Sequence, residues 1–230
     1  MTNSVIKAEN LRRILPGNRV YDAAARREAK AWGTHFVLKE RRSVEYAYPP
    51  IAAYRNELIT GNPAVTWLEF IRNTFGKRSS ALSVGVGTGW IEQELLKMDL
   101  VGSLEIMDLS KSALDEAIRR TQAVGRAIDV SAFVGDCNFI ELQPERYDLI
   151  VCHSILHHVI NLEHVLHQLN AALKVGGVLV VDEYVGPSRW QWPRETCSFV
   201  NAIMTQLSDA AIGERKLLSG AELVQRGVSS

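Results

Sequence analysis

From Ser80 onward, short apolar runs alternate with stretches whose apolar positions recur at helical spacing, and each run ends in a Gly, Asp or His turn. The runs are Ala81 to Val84, Leu104 to Met107, Val130 to Val134, Tyr147 to Cys152 and Val178 to Val181. Short apolar runs separated by helical patterns are the mark of βαβ units, so the spacing predicts five parallel strands. Between them, Ile91 to Met98 has helical periodicity. Ser110 is placed to cap a helix running to about Val124 with Gly125 as its stop, and Leu162, Val165, Leu166, Leu169 and Leu173 form a stripe closed by Gly176 and Gly177. The pattern predicts a Rossmann-like α/β fold, a doubly wound and mostly parallel sheet with a helix in each crossover.

The first eighty residues carry a different pattern. Tyr21 to Ala31 and Ala64 to Phe75 read as helices, separated by an aromatic and proline-containing stretch at Tyr46, Tyr48, Pro49, Pro50 and Tyr54. We therefore expect an N-terminal helical extension over residues 1–78, able to cover an active site, ahead of a sheet domain over 79–230. After Tyr184 one further helical pattern runs to about Leu218, with no convincing β-hairpin beyond it.

Composition adds little to the fold and narrows the partners. Lys plus Arg and Asp plus Glu each total 26 in 230 residues, so no net field favours nucleic acid or an acidic membrane surface. A small-molecule or glycan acceptor is expected before DNA. No window approaches the length of a membrane span, and Met1 to Asn10 lacks a signal-peptide core. Cys137, Cys152 and Cys197 are odd in number and widely spaced, which suggests neither a disulfide framework nor a zinc cluster. A cytoplasmic location and no bound metal are the expectations.

The strongest local signal is Val84-Gly85-Val86-Gly87-Thr88-Gly89, directly after the first predicted strand and before a helix. A nucleoside laid across a strand end needs the backbone within contact distance, and a Cβ at the turning positions would block it. A tight turn without ligand also favours glycine, so further features are needed. Asp108 ends the second strand, 23 positions after Gly85, where a carboxylate can accept both hydrogen bonds of a ribose diol. Asp136, in Gly135-Asp136-Cys137 at the third strand end, can accept from an adenine amino group. Each aspartate alone fits a turn or cap equally well. Together they occupy three successive carboxyl ends, where open parallel sheets bind ligands.

These motifs, with Met107-Asp108-Leu109-Ser110, Tyr147 to Val151, Leu156-His157-His158-Val159 and Leu173 to Leu179, resemble the class I S-adenosylmethionine-dependent methyltransferases over roughly residues 80 to 185. The resemblance implies S-adenosylmethionine as cofactor. Gly85, Val86, Gly87 and Gly89 would shape its methionine and ribose pocket, Asp108 with Leu109 would hold the ribose, Asp136 with Cys137 would meet the adenine, and His153 would lie near the sulfonium. The chain departs from the family at Ser83, where an Asp or Glu is usual. The 45 residues after Val185 hardly accommodate a helix plus the family's closing hairpin, so the C-terminal sheet edge is expected to be abbreviated. Glu183 to Trp192 also looks like a stretch in methyltransferase domains associated with bacterial glycosyltransferase and surface-polysaccharide genes.

Methyl transfer from a sulfonium is a direct displacement and needs positioning more than a covalent nucleophile. For a hydroxyl acceptor a nearby base assists, and His157 and His158 after the fourth strand are the candidates. They fit a purely structural role in the loop as well. Two other readings compete: a degenerate methyltransferase-like interaction module, and an NAD-dependent oxidoreductase. The dinucleotide fingerprint needs Gly or Ala where Trp90 stands, which argues against the latter.

Overall fold

The computed structural model describes residues 17, 19–31, 49–183, 185 and 193–206. In chain order these form α1 (Arg19–Ala31), α2 (Pro49–Thr60), α3 (Trp67–Phe75), β1 (Arg78–Val84), α4 (Trp90–Lys97), β2 (Val101–Asp108), α5 (Lys111–Gln122), β3 (Asp129–Val134), β4 (Tyr147–His153), α6 (Leu162–Ala172), β5 (Leu173–Asp182) and α7 (Arg194–Gln206). The sheet has the order β3-β2-β1-β4-β5, and every pairing is parallel. By its contacts the chain divides into one unit up to Glu183, which includes α1 to α3, and a second from Tyr184, which includes α7.

The predicted strands are all present, and the inner three, β1, β2 and β4, carry apolar residues on both faces, while the edge strands β3 and β5 are more exposed. Ala81, Leu104, Ile106, Leu149 and Val151 point into one core, completed by Ile91, Leu95 and Leu96 of α4, Leu114 and Ala117 of α5, and Trp67, Leu68 and Ile71 of α3. Their neighbours Leu82, Val84, Met107, Ile150 and Cys152 point into the other, against Val165, Leu169 and Ala172 of α6. Burial on both faces is what a parallel sheet requires. At roughly 1.5–3 kcal/mol for each large apolar side chain, these two clusters supply the main favourable term for folding.

Several boundaries differ from the spacing. Pro49 and Pro50, expected to interrupt helices, instead open α2, since proline is tolerated where the first N–H groups have no helical partner. α3 starts at Trp67 because Thr66 and Glu69 form a reciprocal capping box. α6 ends at Ala172, before the glycine pair expected to stop it, and β5 begins at once, with a register irregularity against Tyr147 and Leu149. Leu162 and Leu166, expected in the buried stripe, are exposed. α5 runs as expected from its Ser110 cap, whose hydroxyl accepts from the Ala113 N–H. α7 reaches Gln206, and the rest of the helix expected to Leu218 lies outside the described residues.

Candidate functional site

The strand order turns back on itself between β1 and β4, and a ligand crevice opens at the carboxyl ends where such a reversal occurs. The glycine turn lies there. Gly85, Gly87 and Gly89 all adopt the left-handed backbone region, with φ of 70°, 51° and 77°. Two of them have a further, internal reason to be glycine. A Cβ on Gly85 would sit 2.3 Å from the Ile155 side chain, and one on Gly89 would sit 2.6 Å from the Ala117 backbone of α5. Gly87 sends its N–H to Asp108 Oδ2 at 3.0 Å, and Val86 between them is buried in the first core.

Asp108 is buried at the end of β2, where its other oxygen accepts from the Ser110 N–H at 2.8 Å. Burial pushes its carboxyl up, against the pull of the N–H groups of Ser110, Gly87 and Leu109. A carboxylate held at one point on each oxygen keeps lone pairs on both. That arrangement fits two vicinal hydroxyls.

At the end of β3, Asp136 Oδ1 accepts from the Asn138 N–H at 2.9 Å and so caps a single 3-10 turn, Cys137–Phe139. Its Oδ2 accepts from the Tyr21 hydroxyl of α1 at 2.6 Å. Burial and the neighbouring Asp136 push the Tyr21 hydroxyl pKa up, so it stays a donor. The Cys137 thiol is pushed up to about 12 by burial and is no nucleophile at neutral pH.

The sequence pattern places Tyr21 at the head of a helix but assigns no role in the site to it or to Asn138. Asn138 is buried, and its Oδ1 accepts from the N–H groups of Ile160 and Asn161 at 2.8 Å each, while its Nδ2 donates to Tyr21 at 2.7 Å. One side chain thereby ties together the third strand end, α1 and the loop that follows His157 and His158. The nearest sequence signal was an Asn two residues beyond a strand-end Asp, a spacing shared by countless surface turns.

Each predicted histidine faces a carboxylate. His153, at the end of β4, has Nδ1 2.9 Å from Asp182 Oδ2 at the end of β5. Its ring lies parallel to Trp67, with centroids 6.3 Å apart, and meets Trp90 edge-on at 5.5 Å. Burial would raise the Asp182 carboxyl, yet hydrogen bonds from His153 and Arg55 of α2 hold it well below the usual carboxylate range. His157 Nδ1 lies 2.5 Å from Glu183 Oε1, and His158 Nδ1 lies 2.6 Å from Glu28 Oε1 of α1. The His157 and His158 rings are 4.1 Å apart. Ser154, between these groups and β4, has a positive φ of 53°, which is uncommon for a residue with a side chain and is held by its N–H to the Asp182 carbonyl at 2.8 Å.

Below the glycine turn, Glu92 of α4 is 1 % exposed and accepts from the Ser83 hydroxyl at 2.5 Å. Its Oε2 has no hydrogen-bond partner among the described residues. Burial pushes this carboxyl up to about 7, against the pull of Ser83 and of its own N–H. Among the described residues no helix is long and apolar enough to cross a membrane.

Residues 81–177, the stretch holding the sheet and the glycine turn, match a family described as "Methyltransferase domain". Over 157 residues the chain is 26 % identical to the ubiquinone/menaquinone biosynthesis C-methyltransferase UbiE of Cereibacter sphaeroides, covering 66 % of this chain and 63 % of that protein. It is 30 % identical over 111 residues to the mitochondrial arginine-hydroxylase NDUFAF5 of Mus musculus, covering 48 % of this chain and 30 % of that protein. It spans less than two thirds of either relative. Among solved structures, the N-methyltransferase NodS of Bradyrhizobium japonicum, in complex with S-adenosylhomocysteine, has the same fold at a TM-score of 0.51, with 18 % identity over 68 % of this chain and 71 % of that one.

Proposed function

We propose that this chain, whose residues 81–177 match a methyltransferase-domain family, is a class I S-adenosylmethionine-dependent methyltransferase that transfers the methyl group to a hydroxyl of a small-molecule or glycan acceptor. The family's cofactor suits the residues at the strand ends. Asp108 has spare lone pairs on both oxygens for a ribose, and the left-handed glycine turn brings backbone close beside it. Asp136 and Cys137 stand at the next strand end for the adenine, although there the Asp136 carboxylate is already shared with Tyr21.

When bound, the cofactor supplies a methyl group on a positively charged sulfur that leaves as a neutral thioether. The chain's part is to hold an acceptor in line with it, to exclude water and to take up a proton. The observation that carries the hydroxyl reading is the His157–Glu183 pair. A carboxylate at Nδ1 selects the tautomer with the proton on that nitrogen, which makes Nε2 the proton acceptor. His158, its ring tilted against that of His157 and tied to Glu28, is the second candidate base. His153 lines the sulfonium side, fixed by Asp182 and two tryptophans.

The helices before residue 78 serve in this reading as a cap, because Tyr21, Glu28 and Arg55 each reach a residue at a strand end or in the loop beyond it. A cytoplasmic site of action agrees with Cys137 and Cys152, neither of which is in a disulfide.

Titration calorimetry with S-adenosylmethionine, S-adenosylhomocysteine and NAD tests the cofactor, with binding of the first two alone expected. Release of S-adenosylhomocysteine in the presence of a panel of hydroxyl acceptors tests the reaction. Replacing both His157 and His158 by Ala should cut turnover by 10²–10⁴-fold, the usual contribution of a general base, with cofactor affinity within about twofold. Equal kcat in variant and parent would remove the base assignment.

A further inference from the structure

We infer that Glu92 is a cofactor-binding carboxylate, holding its Oε2 in reserve for the ammonium group of the methionyl arm. This rests on the reading of the site as one for S-adenosylmethionine.

The first ground is energetic. A carboxylate taken out of water loses strong solvation, and folding tolerates it where donors replace the water. Glu92 is 1 % exposed and has the Ser83 hydroxyl on Oε1, but Oε2 receives nothing from the described residues. Its neighbours on α4, Ile91, Leu95 and Leu96, are all core residues, so an aliphatic side chain in its place would stabilise the helix and the sheet beneath it. A residue kept against stability points to a ligand.

The second ground is placement. Ser83 stands two residues before Gly85 on β1, and Glu92 stands three residues after Gly89, so the pair brackets the glycine turn from both sides. The charges that act on Glu92 are those of Asp108 at the end of β2 and His153 at the end of β4, both at the strand-end crevice. Asp108 raises the Glu92 carboxyl and His153 lowers it. Among the described residues no donor reaches Oε2, and a cationic donor brought by a ligand would complete it.

The third ground is chemical. The cofactor brings two positive centres, a sulfonium and an ammonium, and only the ammonium has N–H bonds to give to an empty carboxylate oxygen. At position 83 the family usually carries the acid itself. Here the hydroxyl of Ser83 orients a carboxylate that arrives from α4, so the charge is retained and its attachment point has moved from strand to helix.

The test is calorimetric titration of the full chain and of Glu92→Gln with S-adenosylmethionine, S-adenosylhomocysteine and 5′-methylthioadenosine, which lacks the amino-acid arm. We expect Glu92→Gln to weaken the first two by tenfold or more and to leave methylthioadenosine within twofold. Thermal unfolding of the ligand-free double variant Ser83→Ala/Glu92→Leu should show a higher Tm than the parent. Unchanged S-adenosylmethionine affinity in Glu92→Gln, an equal loss for methylthioadenosine, or a lower Tm in the double variant would each overturn the assignment. A parent chain that binds none of the three ligands would overturn the cofactor reading together with this one, whereas a parent that binds with an unaffected Glu92→Gln overturns this one alone.

Discussion

Replacing Asn138 by Ala is the sharpest probe of how the site is held together. The side chain is buried and serves as acceptor for two backbone N–H groups, those of Ile160 and Asn161, and as donor to the Tyr21 hydroxyl and to Asp136. Truncation removes the acceptor and leaves two partly buried N–H groups without their partner, each at about 1–3 kcal/mol. The Tyr21 hydroxyl keeps its bond to Asp136 and Asp136 keeps the Asn138 backbone N–H, so the donor side should contribute less, about 0.5–1.5 kcal/mol. The sum is about 2.5–7.5 kcal/mol, a large part of the stability of an ordinary domain. Urea unfolding followed by circular dichroism should show a lower midpoint with an unchanged slope. The loop after His158 would also lose its anchor, so turnover should fall more than cofactor affinity. A loss below about 1 kcal/mol would refute the picture of Asn138 as the tie between these segments.

Three further outcomes are expected. Gly89→Ala should cost about 2–5 kcal/mol in chemical unfolding, combining a left-handed backbone with a Cβ 2.6 Å from the α5 backbone; a stability equal to the parent's would mean that α4 and α5 can separate freely. Tyr21→Phe should lower stability by about 1–2 kcal/mol, because Asp136 and Asn138 lose a shared partner; no change in unfolding midpoint would show that α1 is not held through this hydroxyl. Glu92 makes stability depend on pH: its folded carboxyl titrates near about 7 against an ordinary value of 4.5, so the folded state binds the extra proton between those values. Relative to Glu92→Gln, the parent should therefore be unaffected below pH 4.5, lose up to about 3 kcal/mol as pH rises to about 7, and change no further above it; superimposable profiles would contradict this.

What the linear pattern determined by itself was the architecture and the strand-end motifs. Two-residue alternation places Ala81 and Leu82 on opposite faces wherever the strand lies, and the glycine turn and two aspartates follow three successive strands, so the five parallel strands and the positions of Gly85, Asp108 and Asp136 were legible from spacing alone. Helix ends were less legible, since the side-chain caps of Thr66 and Ser110 and the early stop of α6 depend on hydrogen bonds and pairing that periodicity does not encode. Only the tertiary structure decided which groups meet across long separations. It put Tyr21 on Asp136, Glu28 on His158, Arg55 and His153 on Asp182, and the Ser83 hydroxyl on a carboxylate from the next helix. Ser83 read alone looked like a lost charge, because a residue's chemistry in a site depends on what the fold packs against it. With Glu92 beside it, the same position carries a buried carboxylate supplied by the following helix.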